Sequence, residues 1–449
     1  MSETTRVHPQ SRLEIPLASR RYYFALVGIV LVGISLLVFC TSPNFQANEL
    51  SDSPASVRTS PYGGDFLQDW VGGYIVTSPQ QQQLYELSYF KSVQHDPALT
   101  GFEWQATKYY PPVYSPAYYW LVSPLSNMNY KAAAICWLLF SIACFGVWLV
   151  VLKKFQIVSA DIVGWIPIVA ALFAPLLYGF NIGHKSAMIL LILTLAYQLL
   201  RKNRTFAAGM CCGLLAFKPQ LMLVLCLLML VRRDWRFLSG VVVSCLGWLA
   251  LMLMISPDLT LDYIRTLLST QGYLQTEGYQ FGLAHSIWSG VELSLGWTGF
   301  SGWLGLILVA AILSWLGWQS RFCQDAREDS LALWFSISII ATVLVSPHFY
   351  YYDLTILLLP IVLCLNLCKS AVGNRQLEQR LTLGLIVAFF ALAGSFAWIA
   401  DQVGIQLSLP LMLAWIYLLV RMMRQPNASD RESNIRQKPD ELRLAGSET

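Results

Sequence analysis

A chain of 449 residues that is 56% hydrophobic and only 12% charged cannot clothe itself in a water-facing surface. It reads as an integral membrane protein, and a soluble multidomain enzyme is excluded. The formal net charge of +4 is modest, and Lys and Arg gather at the ends of apolar runs rather than in a basic patch, so no nucleic-acid partner is expected.

In chain order, a basic tail over 1–21 carries Arg6, Arg12, Arg20 and Arg21 ahead of the first apolar run, Tyr22 to Cys40. A bilayer-spanning helix needs about 20 mostly apolar residues. The run approaches that length and lacks an Ala-x-Ala cleavage pattern, so it predicts a first transmembrane helix with a cytoplasmic tail, not a signal peptide. A polar segment over 42–129, rich in Trp, Tyr, Pro and Gly, is too long for a turn. It predicts a functional external loop with juxtamembrane helices.

Further apolar runs fall at 131–152, 161–180, 185–200, 206–217, 221–231, 237–256, 302–320, 331–346, 354–368, 381–400 and 406–422. They are continuous, unlike the alternating strands of roughly ten residues that build an outer-membrane barrel. The stretch 205–236 decides the topology. As one helix it would carry Arg232, Arg233 and Arg236 to the side opposite Arg201, Lys202 and Arg204, against the positive-inside bias. Lys218-Pro219 at its middle instead predicts a broken hairpin with that dipeptide at the outer tip. About twelve crossings then put both termini in the cytoplasm. Of the 30 Lys and Arg, only Arg58, Lys91, Lys108, Lys131, Lys185, Lys218 and Arg265 remain outside. The expected organisation is a cytoplasmic tail (1–21), an all-α polytopic transmembrane domain (22–424) with its first external loop at 42–129, and a disordered cytoplasmic tail (425–449). Most of the ten cysteines lie inside apolar runs and read as packing residues, with no disulfide framework or Cys-x-x-Cys metal pair.

This topology gathers the unusual polar residues on the outer side: Asp65 and Asp69, His184 and Lys185, Lys218, His285, and His348 with Asp353. Ionisable groups at membrane depth are costly and commonly mark a site. In Gly63-Gly64-Asp65-Phe66-Leu67-Gln68-Asp69-Trp70, two glycines precede a helix on which the aspartates stand i, i+4. Asp65 is a helix cap or a general base, and Asp69 either a solvated residue or a supporting partner behind it. A metal held by this pair lacks a third ligand at matching spacing. Tyr109-Tyr110-Pro111-Pro112-Val113-Tyr114-Ser115-Pro116 predicts a rigid, extended, aromatic segment, either an interfacial belt or a wall for a sugar or isoprenoid. Lys218 either snorkels to the interface or holds a phosphate. His348 opens a membrane helix where an anion is favoured, whereas His285 reads as an ordinary loop residue. A lipid-phosphate transferase fits these features. A secondary transporter would bury its charges near mid-helix.

Gly64-Asp65-Phe66, Tyr110-Pro111-Pro112, the helix opening after Gly183, Ala216-Phe217-Lys218-Pro219, and Ser346-Pro347-His348 with Tyr352-Asp353 follow one another in an order and spacing that resembles glycosyltransferase family 87. This family comprises polyprenol-phosphate-mannose-dependent mannosyltransferases of GT-C architecture, and the resemblance spans roughly residues 20–420. It implies inverting transfer of a hexose, mannose above all, from a polyprenyl-phosphate donor to a hydroxyl of a glycolipid or glycan acceptor. The reaction would occur on the outer face of the cytoplasmic (inner) membrane, among its lipids. Carried onto this chain, the resemblance makes Asp65 the base and Lys218 and His348, with Lys185 and His184, the holders of the donor phosphate. Asp69, Tyr110, Tyr351 and Tyr352 would line the substrates, and no metal or cofactor is implied. Gly183-His184-Lys185 departs from the Gly-Gln and small polar residue expected there, which bears on the substrate rather than the fold. The first external loop is long and carries a run, Gln80 to Gln83, that no motif explains; the loop's length bears on the acceptor. A transporter, or a flippase or ligase of lipid-linked glycans, is the alternative reading.

Overall fold

The computed structural model describes residues 63–104, 108–268, 281–296, 299–320, 328–346, 348–369 and 376–424. The expected first transmembrane helix, Tyr22 to Cys40, and both polar tails lie outside the described residues. No strand occurs among the described residues; backbone pairing between segments is limited to isolated bridges such as Ala284 with Tyr350.

The external segment folds into short helices packed on the bundle. Helix α1, Asp65–Val76, lies against α3, Pro116–Ser126, while α2, Leu87–Gln94, flanks them. The α1/α3 contact depends on Gly72 and Gly73: a Cβ on Gly72 would enter the Tyr119 ring, and one on Gly73 would meet Ser126 Oγ and the Ser123 backbone. Ser115 caps α3 by accepting from Tyr118 N at 3.3 Å, and Pro116 occupies the first helical turn, where its missing N–H costs nothing.

The apolar runs become helices α4 (Tyr130–Lys154), α5 (Ala160–Ala171), α6 (Ala174–Asn181), α7 (Ser186–Arg201), α8 (Thr205–Gly213), α9 (Gln220–Val231) and α10 (Trp235–Ile255). Past the amphipathic α11 (Pro257–Leu268) come α12 (Ile287–Leu295), α13 (Gly299–Ser320), α14 (Glu328–Val345), α15 (Leu358–Lys369), α16 (Gln376–Leu392), α17 (Phe396–Val403) and α18 (Ser408–Arg424). Among the described residues, five helical segments are long and apolar enough to cross a bilayer, and α5 with α6, bent by 57°, makes a sixth. Four shorter apolar segments, including α7, α9 and the 205–217 stretch, accompany them. The chain is an all-α, multi-pass membrane protein.

The hairpin at Lys218-Pro219 is present. Gly209 and Gly213, spaced i, i+4, lay α8 against α10 so closely that a Cβ on Gly209 would reach the Phe237 carbonyl, while Gly240 faces the Phe206 carbonyl. Ser244 Oγ adds a bond to Met210 O at 2.8 Å. The start of α8 therefore sits beside the start of α10, and α9 ends at Val231, only a turn away from Trp235. A continuous helix over 205–231 would separate those two ends by about 39 Å, at 1.5 Å per residue. The chain instead doubles back, with a 3-10 turn at Leu214–Phe217 and Pro219 making the reversal.

Candidate active site

Two glycine elbows bring the separated motifs together. Gly63 and Gly64 (φ 71° and 32°) lead into α1, and Gly183 (φ 67°) leads into α7. These left-handed conformations are cheap only without a Cβ. The elbows also touch, since a Cβ on Gly183 would collide with Phe66 and the Gly63 carbonyl. Trp137 Nε1 clamps the second elbow by donating to Gly183 O at 2.6 Å, while its ring stacks on Phe66 at 5.2 Å. Asp65 and Asp69 on α1 are thereby set against His184 and Lys185.

Asp69 forms a buried ion pair with Lys185, Oδ2 to Nζ 3.0 Å, and accepts from Tyr118 OH at 2.8 Å. The Lys185 ammonium also lies 3.8 Å from the Tyr114 ring centroid, a cation–π contact. Asp69, expected as a solvated residue or a supporting partner and to line the substrates, is wholly buried, with its charge committed to Lys185 and Tyr118.

The tip of the hairpin delivers a second pair. Lys218 Nζ lies 2.6 and 2.7 Å from the two Asp353 oxygens, and Asp353 Oδ2 also accepts from Tyr350 N at 3.2 Å, capping the 3-10 helix Tyr351–Leu357. His184 stacks on Tyr352 at 3.9 Å. Ser186 Oγ donates its one proton to Tyr352 O at 2.9 Å and stands 2.6 Å from His184 Nδ1. Nδ1 must therefore donate, which leaves Nε2, 3.7 Å from Asp353 Oδ1, as the bare nitrogen of a neutral ring. His184 can act as a cation only by gaining a proton there. His348, half-buried and 4.7 Å from the Tyr350 ring, lies within electrostatic reach of His184, as do both lysines.

Asp65 differs from the other two carboxylates. It has no ion-pair partner among the described residues and is partly exposed, whereas Asp69 and Asp353 are buried and each holds a lysine. Its desolvated setting pushes the carboxyl up to about 6, opposed by Lys185, the Tyr352 hydroxyl and Lys218 and reinforced by Asp69. A carboxyl so poised is suited to taking a proton near neutral pH. Three carboxylates face two lysines, so the cluster holds no surplus of positive charge. An arriving phosphate would share the lysines with Asp69 and Asp353, using the third N–H of Lys218.

The Tyr109–Tyr114 segment is extended and lacks donors at both prolines, so side chains from the external helices secure it through its carbonyls. Gln68 Nε2 donates to Pro111 O. The Gln94 amide clamps Tyr110, donating to its carbonyl at 2.6 Å and accepting from its N–H at 3.0 Å, and Tyr85 OH donates to Tyr114 O at 2.8 Å. Tyr110 stands close enough to Asp65 to feel its charge. Tyr352 sits in the cluster, while Tyr351 turns towards Tyr178 and His285, at 5.5 and 5.8 Å. His285 is buried and bonded to Ser408 Oγ at 2.8 Å.

Sequence reasoning placed Tyr114 in an aromatic belt or substrate wall, assigned no role to Tyr118 or Ser186, and did not see Asp353 as the partner of Lys218. Tyr118 lies outside the Tyr109–Pro116 run that drew attention, and a lone serine at a helix start carries no distinguishing signal. Among the described residues no group of three His, Cys, Asp or Glu is arranged to hold a metal ion.

The model of glycosyltransferase family 87 matches residues 113–347, more than half of the chain. The chain belongs to glycosyltransferase family 87. It is a membrane glycosyltransferase. The matched stretch holds Tyr114, Tyr118, His184, Lys185 and Lys218, while Asp65 precedes it and Asp353 follows. Among solved structures, this family 87 chain is similar to ArnT from Cupriavidus metallidurans in the apo state, at 14% identity over 89% of this chain and 76% of that one, with a TM-score of 0.34. A comparison with curated proteins gives no match.

Proposed function

We propose that this glycosyltransferase moves a hexose, mannose, from a polyprenyl-phosphate donor to a hydroxyl of a glycolipid or glycan, with inversion, on the outer face of the cytoplasmic membrane. The single observation carrying the proposal is Asp65, among the described residues the one site carboxylate that is partly exposed and without an ion pair, set beside two lysine-centred pairs. Asp65 takes the proton of the acceptor hydroxyl as that oxygen attacks the anomeric carbon. The bond from the anomeric carbon to the phosphate oxygen breaks, its electrons leave with polyprenyl phosphate, and one displacement inverts the centre. Lys218, with His348, Lys185 and the His184 ring, meets the charge developing on the phosphate. A phosphate ester leaves without a strong acid, and no metal or cofactor is called for.

The test is incubation of the protein in nanodiscs with polyprenyl phosphate carrying radiolabelled mannose and a crude glycolipid extract. Label is expected in a new product with the wild type and not with Asp65→Asn. Equal transfer by both removes Asp65 as the base, and no transfer from this donor where another lipid-linked sugar succeeds removes mannose.

A further inference from the structure

The run Gln80 to Gln83 lies outside the cluster around Asp65, but it has a definite place in the fold. Gln81–Gln83 form a 3-10 turn anchored by buried Leu84. The turn forms one rim of a groove of about 180 Å³ lined by Gln82, Tyr85, Glu86, Asp262, Arg265 and Thr266, the last three on α11. Across it Tyr85 approaches Tyr263, ring centroids 6.1 Å apart, and Arg265 Nη1 bonds Asp262 Oδ1 at 2.9 Å. The groove is wired to the site, because Tyr85 OH donates to Tyr114 O and the Tyr114 ring lies under Lys185.

The lining suits one kind of ligand. A sugar hydroxyl both donates and accepts, and the groove supplies carboxylates that accept, a guanidinium that donates and the Gln82 carboxamide that does both. Glu86 and Asp262 outnumber Arg265, which disfavours a phosphate or other anion. A volume this small admits a single ring and is below the range of roughly 300–1,000 Å³ of drug-sized pockets. We infer that this groove binds a neutral hexose unit of the acceptor, remote from the unit that receives the new sugar. The inference rests on the glycan-acceptor reading above and names a subsite for it.

Saturation-transfer NMR on the nanodisc protein, without donor, tests the groove independently of turnover. The probes are α-linked mannobiose and mannose 6-phosphate. Mannobiose is expected to bind with a dissociation constant in the millimolar range, at least tenfold tighter than mannose 6-phosphate. The double variant Gln82→Ala with Asp262→Ala weakens it at least tenfold, with an unchanged unfolding temperature, while Asp65→Asn leaves it intact. Absence of mannobiose binding, or binding indifferent to the double variant, overturns the groove. Retained groove binding beside a failed transfer assay overturns the donor reading alone.

Discussion

Lys218 at the tip of the hairpin and Asp353 at the start of a 3-10 turn, far apart in sequence, meet in a two-pronged ion pair of 2.6 and 2.7 Å, both side chains almost fully buried. Removing one member of such a pair strands the other charge. Lys218→Met or Asp353→Leu alone should therefore cost about 3–5 kcal/mol. The double variant should recover most of that loss, short of about 1 kcal/mol for the cap that Asp353 gives to Tyr350 N. Unfolding of the three variants in one detergent checks this, and additive losses would mean the pair is uncoupled.

The same cluster sets the pH dependence of turnover. Asp65 works as a base only when ionised, and its carboxyl is raised to about 6. kcat/KM should be level above neutrality and fall about tenfold per pH unit once the pH drops below about 6. Lys185 is the strongest influence holding that value down, so Lys185→Met should move the acid limb to higher pH. Asp65→Asn should lower turnover by about 10²–10⁴-fold and abolish the limb. A limb unchanged in Lys185→Met would detach it from Asp65.

The Gly183 elbow admits no side chain. Gly183→Ala places a Cβ against Phe66 and the Gly63 carbonyl in a left-handed conformation, which by itself costs an L-residue about 1–2 kcal/mol. Both stability and transfer should fall, because the collision pushes Asp65 away from His184 and Lys185. Gly146→Ala is the control: nothing lies within 4 Å of that Cβ, and alanine is the better helix former by about 1 kcal/mol. Its unfolding temperature should hold or rise.

Turnover should survive chelation. Asp69 is engaged by Lys185 and Tyr118 and Asp353 by Lys218 and Tyr350 N, so neither can serve as a metal ligand beside Asp65 without breaking a buried pair. Activity unaffected by EDTA is the expected result. Loss with EDTA and rescue by Mg²⁺ or Mn²⁺ would require those pairs to open.

Much of the helical layout was legible because hydropathy is a local property: the runs at 131–152 and 237–256 correspond to Tyr130–Lys154 and Trp235–Ile255. The hairpin was legible from charge, since a straight helix would have carried Arg232 and its neighbours to the wrong side. The expected family is the one whose model matches. What the sequence could not display is who pairs with whom. Lys185 finds Asp69 across 116 positions and Lys218 finds Asp353 across 135, and no periodicity links such partners. Asp69 reads from the sequence as either a solvated residue or a supporting partner of Asp65 for the same reason: its burial depends on Tyr118, supplied by another helix. The 57° bend between α5 and α6 falls where Pro175 begins a new helix inside one apolar run, and hydropathy does not register direction.

The orientation of the hairpin makes a final prediction. Lys218-Pro219 joins two short apolar helices, and on the positive-inside bias their basic far ends, Arg204 and Arg232, are expected in the cytoplasm. A cysteine replacing Gln220, in a chain whose ten native cysteines are replaced by serine or alanine, should react in intact cells with an impermeant maleimide, and slowly, because the neighbouring Lys218 is buried. A cysteine replacing Arg233, in the turn after α9, should react only once the membrane is opened. The reverse pattern would turn the molecule over and put Asp65 on the cytoplasmic side, where a lipid-linked donor presented from outside could not reach it.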